Sequence, residues 1–325
     1  MRRKKTISLI LKIIIVFFAF FFLYKQFSSK SSVEQFEIDH ILIQLQNNYL
    51  LIFVVILMMF LNWFLESLKW RFLISKIESI SIFRSFAAVF SGITVSTFTP
   101  NRIGEYAGRV FCLEKADRIQ GVLITVIGSM SQLLTTIVFG LTGFLLLPNL
   151  MQELDSLLSE FIFAYPIMLF VIILLNVILV TLFLNASVFT VLLSKLKILG
   201  KFYKYNQVFT FYDSSELLEA LLYSVARYIV FTTQFFILLH VFGVNISYID
   251  SIILTTVMLF IISIIPTIAI TEIGVRGSVA LFLFGLVSSN TVGILSATFI
   301  MWLINLLFPA LIGTFFIFTL KFFRK

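Results

Sequence analysis

Cysteine, histidine and charge are the scarce materials of this chain. A single cysteine, Cys112, stands in 325 residues. That excludes an internal disulfide and every multi-cysteine metal motif. Two histidines, His40 and His240, leave little material for a zinc centre or a histidine-based hydrolase. No glycine-rich phosphate loop, Ser/His/Asp set, HExxH or GxGxxG is present, so neither ATP hydrolysis nor a metal, cofactor or catalytic residue is expected. Charged residues make up only 12% of the chain, and each one inside an apolar stretch becomes a candidate for function.

What is present is hydrophobic: 60% of residues, 40 of them Phe, with a mean hydropathy of +1.08. The apolar runs are too long and too unalternating for barrel strands, so the chain reads as an all-α polytopic membrane protein. The net charge of +8 does not point to nucleic acid. Lys and Arg lie between apolar runs, where they act as topology signals and lipid headgroup contacts.

In chain order, Arg2, Arg3, Lys4 and Lys5 precede an apolar run at residues 7–24 with no small-residue cleavage site after it, which reads as an uncleaved first span. Residues 49–65 form the second span, and the basic stretch 66–84 a cytoplasmic connection. Residues 85–99 cover only about 22 Å as a helix, against a hydrocarbon core of roughly 30 Å. The loop after them is again basic, so this segment reads as a re-entrant hairpin. Spans follow at 121–147, 161–184 and 217–242. The short runs 251–265 and 278–287 form either a second hairpin, entering from the outer face, or two tilted crossings. A last span covers 293–320. The whole is eight hydrophobic segments: about six full transmembrane helices plus two re-entrant hairpins in a 3+3 inverted repeat, with halves at 1–147 and 161–325, both termini cytoplasmic, and no soluble domain.

Two stretches carry the chemistry. Residues 99–110 read TPNRIGEYAGRV and residues 265–279 read IPTIAITEIGVRGSV. Each has a proline and a glutamate four residues before an arginine, Glu105/Arg109 and Glu272/Arg276, a spacing that puts both on one helix face. The plain reading is a pair of salt bridges fixing the hairpin tips. The functional reading is an anion site, since guanidinium binds phosphate bidentately. Arg102 supports it, and Pro100, Gly104, Gly108, Pro266, Gly274 and Gly277 are the expected hinge or close-approach positions. Arg227, inside an apolar span, is either a counter-charge for Glu105 or Glu272 or a second phosphate contact. Trp70-Arg71 reads as an interfacial anchor with a basic neighbour. Gln132, Asn176, Gln234 and Asn305 read as helix–helix hydrogen-bond partners.

These paired motifs, Pro100-x-Arg102-x-Gly104-Glu105-x3-Arg109 and Pro266-x5-Glu272-x-Gly274-x-Arg276-Gly277, with Trp70-Arg71 before the first, resemble the membrane region of the lysylphosphatidylglycerol synthase family. This is the flippase-like domain of the bacterial multiple peptide resistance factor and its stand-alone relatives. In full-length members a cytosolic domain transfers lysine from its tRNA to phosphatidylglycerol, and the membrane region moves the product outward. The resemblance implies a bacterial cytoplasmic-membrane protein that translocates or binds an anionic or aminoacylated phospholipid or a polyprenyl-phosphate lipid, in a form lacking the transferase domain. An enzyme of the phosphatidylglycerol lysyltransferase type and an accessory subunit of an envelope synthase are the competing readings. A homo-oligomer or an envelope-synthase partner is compatible with either.

Overall fold

The computed structural model describes residues 38–99, 102–147, 164–185, 207–266 and 269–318. The expected first span at 7–24, Pro100 and most of the basic connection after residue 185 lie outside them. Every regular element among the described residues is helical: α1 Ile38–Asn47, α2 Tyr49–Ile74, α3 Ile82–Ser96, α4 Gly104–Val110, α5 Arg118–Leu146, α6 Ala164–Leu184, α7 Ser214–Val241, α8 Tyr248–Ile264, α9 Ala269–Phe284, α10 Thr291–Trp302 and α11 Phe308–Ile317. Helix is what a chain this apolar must adopt in lipid, because only an intra-segment ladder satisfies its backbone without water. Five helices are long and apolar enough to span a bilayer: α2, α5, α6, α7 and the continuous α10–α11 run, while α3 and α8 are shorter apolar helices. Short polar caps start them. Ser81, Asp117, Ser247 and Asn290 accept a backbone N–H at the starts of α3, α5, α8 and α10, and Asp213 with Glu216 forms a capping box at α7.

Two boundaries differ from the sequence reading. The run expected at 278–287 is the end of α9, which already begins at Ala269 and carries Glu272 and Arg276 inside it. The second span does not end at residue 65. α2 runs on to Ile74 with Glu66 and Lys69 buried inside the bundle. Charges at the end of an apolar run mark a loop only when water solvates them, and here neighbouring helices do so instead.

The two short helices begin re-entrant hairpins. α3 starts at one end of the bundle, and the segment after α4 returns there, with Arg84 Nη2 donating to the Cys112 carbonyl at 2.9 Å. α7 begins at that same end, since Tyr212 Oη donates to the Leu73 carbonyl. α8 therefore enters from the opposite end. The segment after α9 returns to its start, where Asn290 Nδ2 donates to the carbonyls of Phe242 and Gly243. Seven-residue α4 is about 10 Å long and cannot cross a bilayer.

Helix partners repeat in matching sets. α2 packs on α7. α3 packs on α2, α4 and α11, as α8 packs on α7, α9 and α5. The two crossings that seat α3 on α11 and α8 on α5 need glycine. A Cβ at Gly313 would lie 2.2 Å from the Phe90 carbonyl oxygen, and one at Gly143 would lie 2.3 Å from Thr256 Oγ1. Between α10 and α11 a π turn spans Leu303–Leu307. Pro309 has no N–H to return to the Asn305 carbonyl four residues back, so the regular ladder is interrupted there.

Candidate functional site

Asn62, Glu66 and Lys69 are spaced four and three apart on α2, so they share one face of it. That face meets α4, α5 and α7. Glu66, 4% exposed, is the hub. Its Oε1 accepts from Arg109 Nη1 at 2.7 Å, and its Oε2 pairs with Lys69 Nζ at 2.9 Å and with Arg227 Nη1. Lys69 Nζ also donates to the Gly128 carbonyl and to Ser224 Oγ, both at 3.1 Å. Arg109 pairs with Glu105 through its other Nη. Arg227 donates from Nε to Asn62 Oδ1 at 2.9 Å and from Nη1 to Gln132 Oε1 at 3.2 Å, and its guanidinium lies 5.2 Å from the Trp63 ring.

The hairpin tips meet at a second carboxylate. Glu272 pairs with Arg276, four residues on, and with Arg102 Nη2 at 2.7 and 3.0 Å across 170 residues of chain. Arg102 holds a left-handed backbone, φ 58°, which costs a non-glycine residue about 1–2 kcal/mol. The bifurcated bond from this one Nη to both Glu272 oxygens offsets it and locks one tip to the other.

The two charge groups share a cavity of about 110 Å³, lined by Arg102, Arg227 and Arg276 but by none of Glu66, Glu105 and Glu272. Its remaining walls are polar where Asn62, Trp63, Trp302 and Asn305 stand and apolar at Phe231, Phe235 and Met258. The indole N–H groups of Trp63 and Trp302 and Asn305 Oδ1 are buried with no hydrogen-bond partner among the described residues. Five cations (Lys69, Arg102, Arg109, Arg227, Arg276) face three carboxylates, a formal excess of two positive charges (5 − 3). The carboxylates sit behind the guanidiniums, so the space itself presents donors and positive charge. Such a site suits an anion with several acceptor oxygens.

The structure thus brings Arg102, Glu105, Arg109, Arg227, Glu272 and Arg276 into one region. Glu105 pairs with Arg109, and Glu272 with Arg276. Arg227 is corrected: its carboxylate is Glu66, not Glu105 or Glu272, because α7 lies against α2 along the face that Asn62 and Glu66 occupy. Among the expected hinges, Gly104 and Gly108 are close-approach positions, where an added Cβ would lie 2.5 Å from the Val95 carbonyl oxygen and 2.6 Å from Gly92 Cα. Gly274 faces open space, and a Cβ at Gly277 would meet only Leu295 Cδ2, at 3.3 Å. Pro266 lies in the break between α8 and α9. Gln132 and Gln234 bridge helices, to Arg227 and to the Val55 carbonyl. Asn305 does not, since its Nδ2 donates within its own helix to the Met301 carbonyl.

Glu66 and Lys69 were not among the expected site residues. The signal was present in their phase with Asn62. It was masked by their position at the end of an apolar run, where charge reads as a loop.

The sequence matches the family model described as Lysylphosphatidylglycerol synthase TM region over residues 9–313. No curated protein and no solved structure matches it.

Proposed function

The chain belongs to the lysylphosphatidylglycerol synthase transmembrane-region family, and from that membership we propose that it is a flippase-like lipid translocase whose cavity holds a lipid phosphate in transit between leaflets. The observation that carries the proposal is the convergence of Arg102, Arg227 and Arg276, from the first hairpin, α7 and the second hairpin, on one cavity with no carboxylate in its wall. Only the headgroup needs the protein, since acyl or prenyl chains stay in the bilayer. A space of about 110 Å³ suits a compact headgroup rather than a whole ligand. The substrate class is an anionic or aminoacylated phospholipid or a polyprenyl-phosphate lipid.

The matching packing sets of α2–α5 and α7–α11 support the reading of the chain as two inverted halves, 1–147 and 161–325, meeting at the Arg102–Glu272 contact. The expected setting is the bacterial cytoplasmic membrane with both termini inside.

Proteoliposomes carrying fluorescent phosphatidylglycerol test the proposal. Wild-type protein should move the probe across the bilayer, and Arg227→Ala and Arg276→Ala should each slow it at least about tenfold, the effect of losing one charge-assisted contact. Wild-type rates from both folded variants would rule the cavity out as the route.

A further inference from the structure

The Trp70-Arg71 pair is left unused by the cavity, and the structure sends its two side chains in different directions. Trp70 is 1% exposed, and its Nε1 donates to Thr125 Oγ1 at 3.1 Å. Arg71, about 100° further round α2, instead lines a groove of about 300 Å³ at the bundle end where α2 finishes and α7 starts. We infer that this groove is a second phosphate-binding site, the interfacial docking point for a lipid headgroup before it enters the cavity.

The guanidinium is pre-set for that role. Arg71 Nε donates to the Ile80 carbonyl at 3.1 Å, which fixes the plane of the group. Neither of its Nη nitrogens bonds a described residue, so the two-pronged face that matches phosphate is unspent. No carboxylate lines the groove, whereas Arg84 and Lys76 at the same end are paired with Glu78 and Glu216. Ser75 and Ser79 stand beside Arg71. Ser75 Oγ already donates to the Phe72 carbonyl, which leaves the Ser79 hydroxyl as the added donor. Glu219, one turn before Tyr223 on α7, stays out of the wall. Leu68, Phe72 and the Tyr223 ring make the other walls apolar, which favours a phosphate carried on hydrocarbon over a free ion. Tyr223 and Arg227 are four apart on α7 and share a face, so the groove lies one helical turn along α7 from the cavity. The docking step rests on the translocase reading, but phosphate binding in the groove does not.

Native mass spectrometry of the full chain in detergent, titrated with short-chain phosphatidylglycerol, separates the two sites. Wild-type protein should take two lipids. Arg71→Gln should lose one, with affinity at that site down about tenfold or more, and Arg276→Ala should lose the other. Arg71→Lys gives up the same bond to Ile80 but keeps a charge, so it should retain part of the binding that Gln loses. Diacylglycerol of the same chain length should not be retained. Inorganic phosphate should compete only at far higher concentration than the lipid. An unchanged lipid count in Arg71→Gln, equal binding of diacylglycerol, or equal competition by inorganic phosphate would each overturn the groove as a lipid-phosphate site. Loss of a lipid in Arg71→Gln but not in Arg276→Ala would uphold the groove and count against the cavity.

Discussion

Replacing Glu66 with glutamine isolates the ionic hub from everything else in the bundle. The carboxylate is 4% exposed and meets Arg109 at 2.7 Å, Lys69 at 2.9 Å and Arg227. Without its charge, three cations remain with Glu105 as the nearest compensating carboxylate, and two of the three are arginines, which cannot shed a proton. Raw Coulomb attraction is roughly 4 kcal/mol per contact at an effective dielectric of about 20, much of it cancelled by desolvation. Breaking one buried pair by deleting a partner costs about 3–5 kcal/mol. For a chain of this size that corresponds to a fall in apparent Tm of roughly 5–10 °C in detergent or nanodiscs. The double variant Glu66→Gln/Lys69→Met removes one charge of each sign and should recover part of that loss, because the deficit is electrostatic rather than steric. A Glu66→Gln protein within about 1 °C of wild type, or a double variant less stable than the single, would refute this account of the hub.

Three further outcomes follow from the geometry. Gly108→Ala forces α4 off α3 at a 2.6 Å approach to Gly92 and should cost about 1–3 kcal/mol, while Gly274→Ala, facing open space inside α9, should be neutral or gain up to about 1 kcal/mol; thermal unfolding of the pair reads the contrast. Arg102→Ala cuts the ion pair that joins the hairpin tips, and a loss of about 1.4 kcal/mol there makes separation of the two tips tenfold more populated. A cysteine placed at Thr298 in the cavity wall, in a Cys112-free background, should then react faster with a maleimide, and an unchanged rate would remove the latch role. Glu78, between α2 and α3, accepts N–H bonds from Glu114, Lys115 and Ala116 and pairs with Arg84. Burial opposes its ionisation, but those donors outweigh it and hold the carboxyl below its usual range. Its contribution is therefore complete above the ordinary glutamate value of about 4.3 and is lost as pH falls from there through the lowered folded value. The Tm gap between wild type and Glu78→Gln should be full at neutral pH and narrow as the solution is acidified below about pH 4.3.

Much of the architecture was legible from residue order. Unbroken apolar runs can satisfy their backbone in lipid only as helices, and the short run at 85–99 with its basic flank marked the first hairpin. The runs at 251–265 and 278–287 fitted a hairpin or two tilted crossings until the Asn290 bonds to Phe242 and Gly243 returned the segment to the start of α8. Glu105/Arg109 and Glu272/Arg276 were readable as pairs because a spacing of four is a local property of the helix. Close-approach glycines were only half readable. Gly104 and Gly108 touch neighbouring backbone and Gly274 does not, a distinction that depends on what lies opposite.

Local periodicity and hydropathy therefore determined the class of the protein, its helices and its local ion pairs, since those depend on residues within a few turns of each other. The packing of helix on helix and of one hairpin tip on the other decided the rest. It made Glu66, rather than Glu105 or Glu272, the counter-charge of Arg227, drew Lys69 into the interior, and tied Arg102 to Glu272 across 170 residues. It also put three guanidiniums around one space with their carboxylates behind them. Charge pairing over such separations depends on which helix faces meet, and no spacing along the chain encodes that.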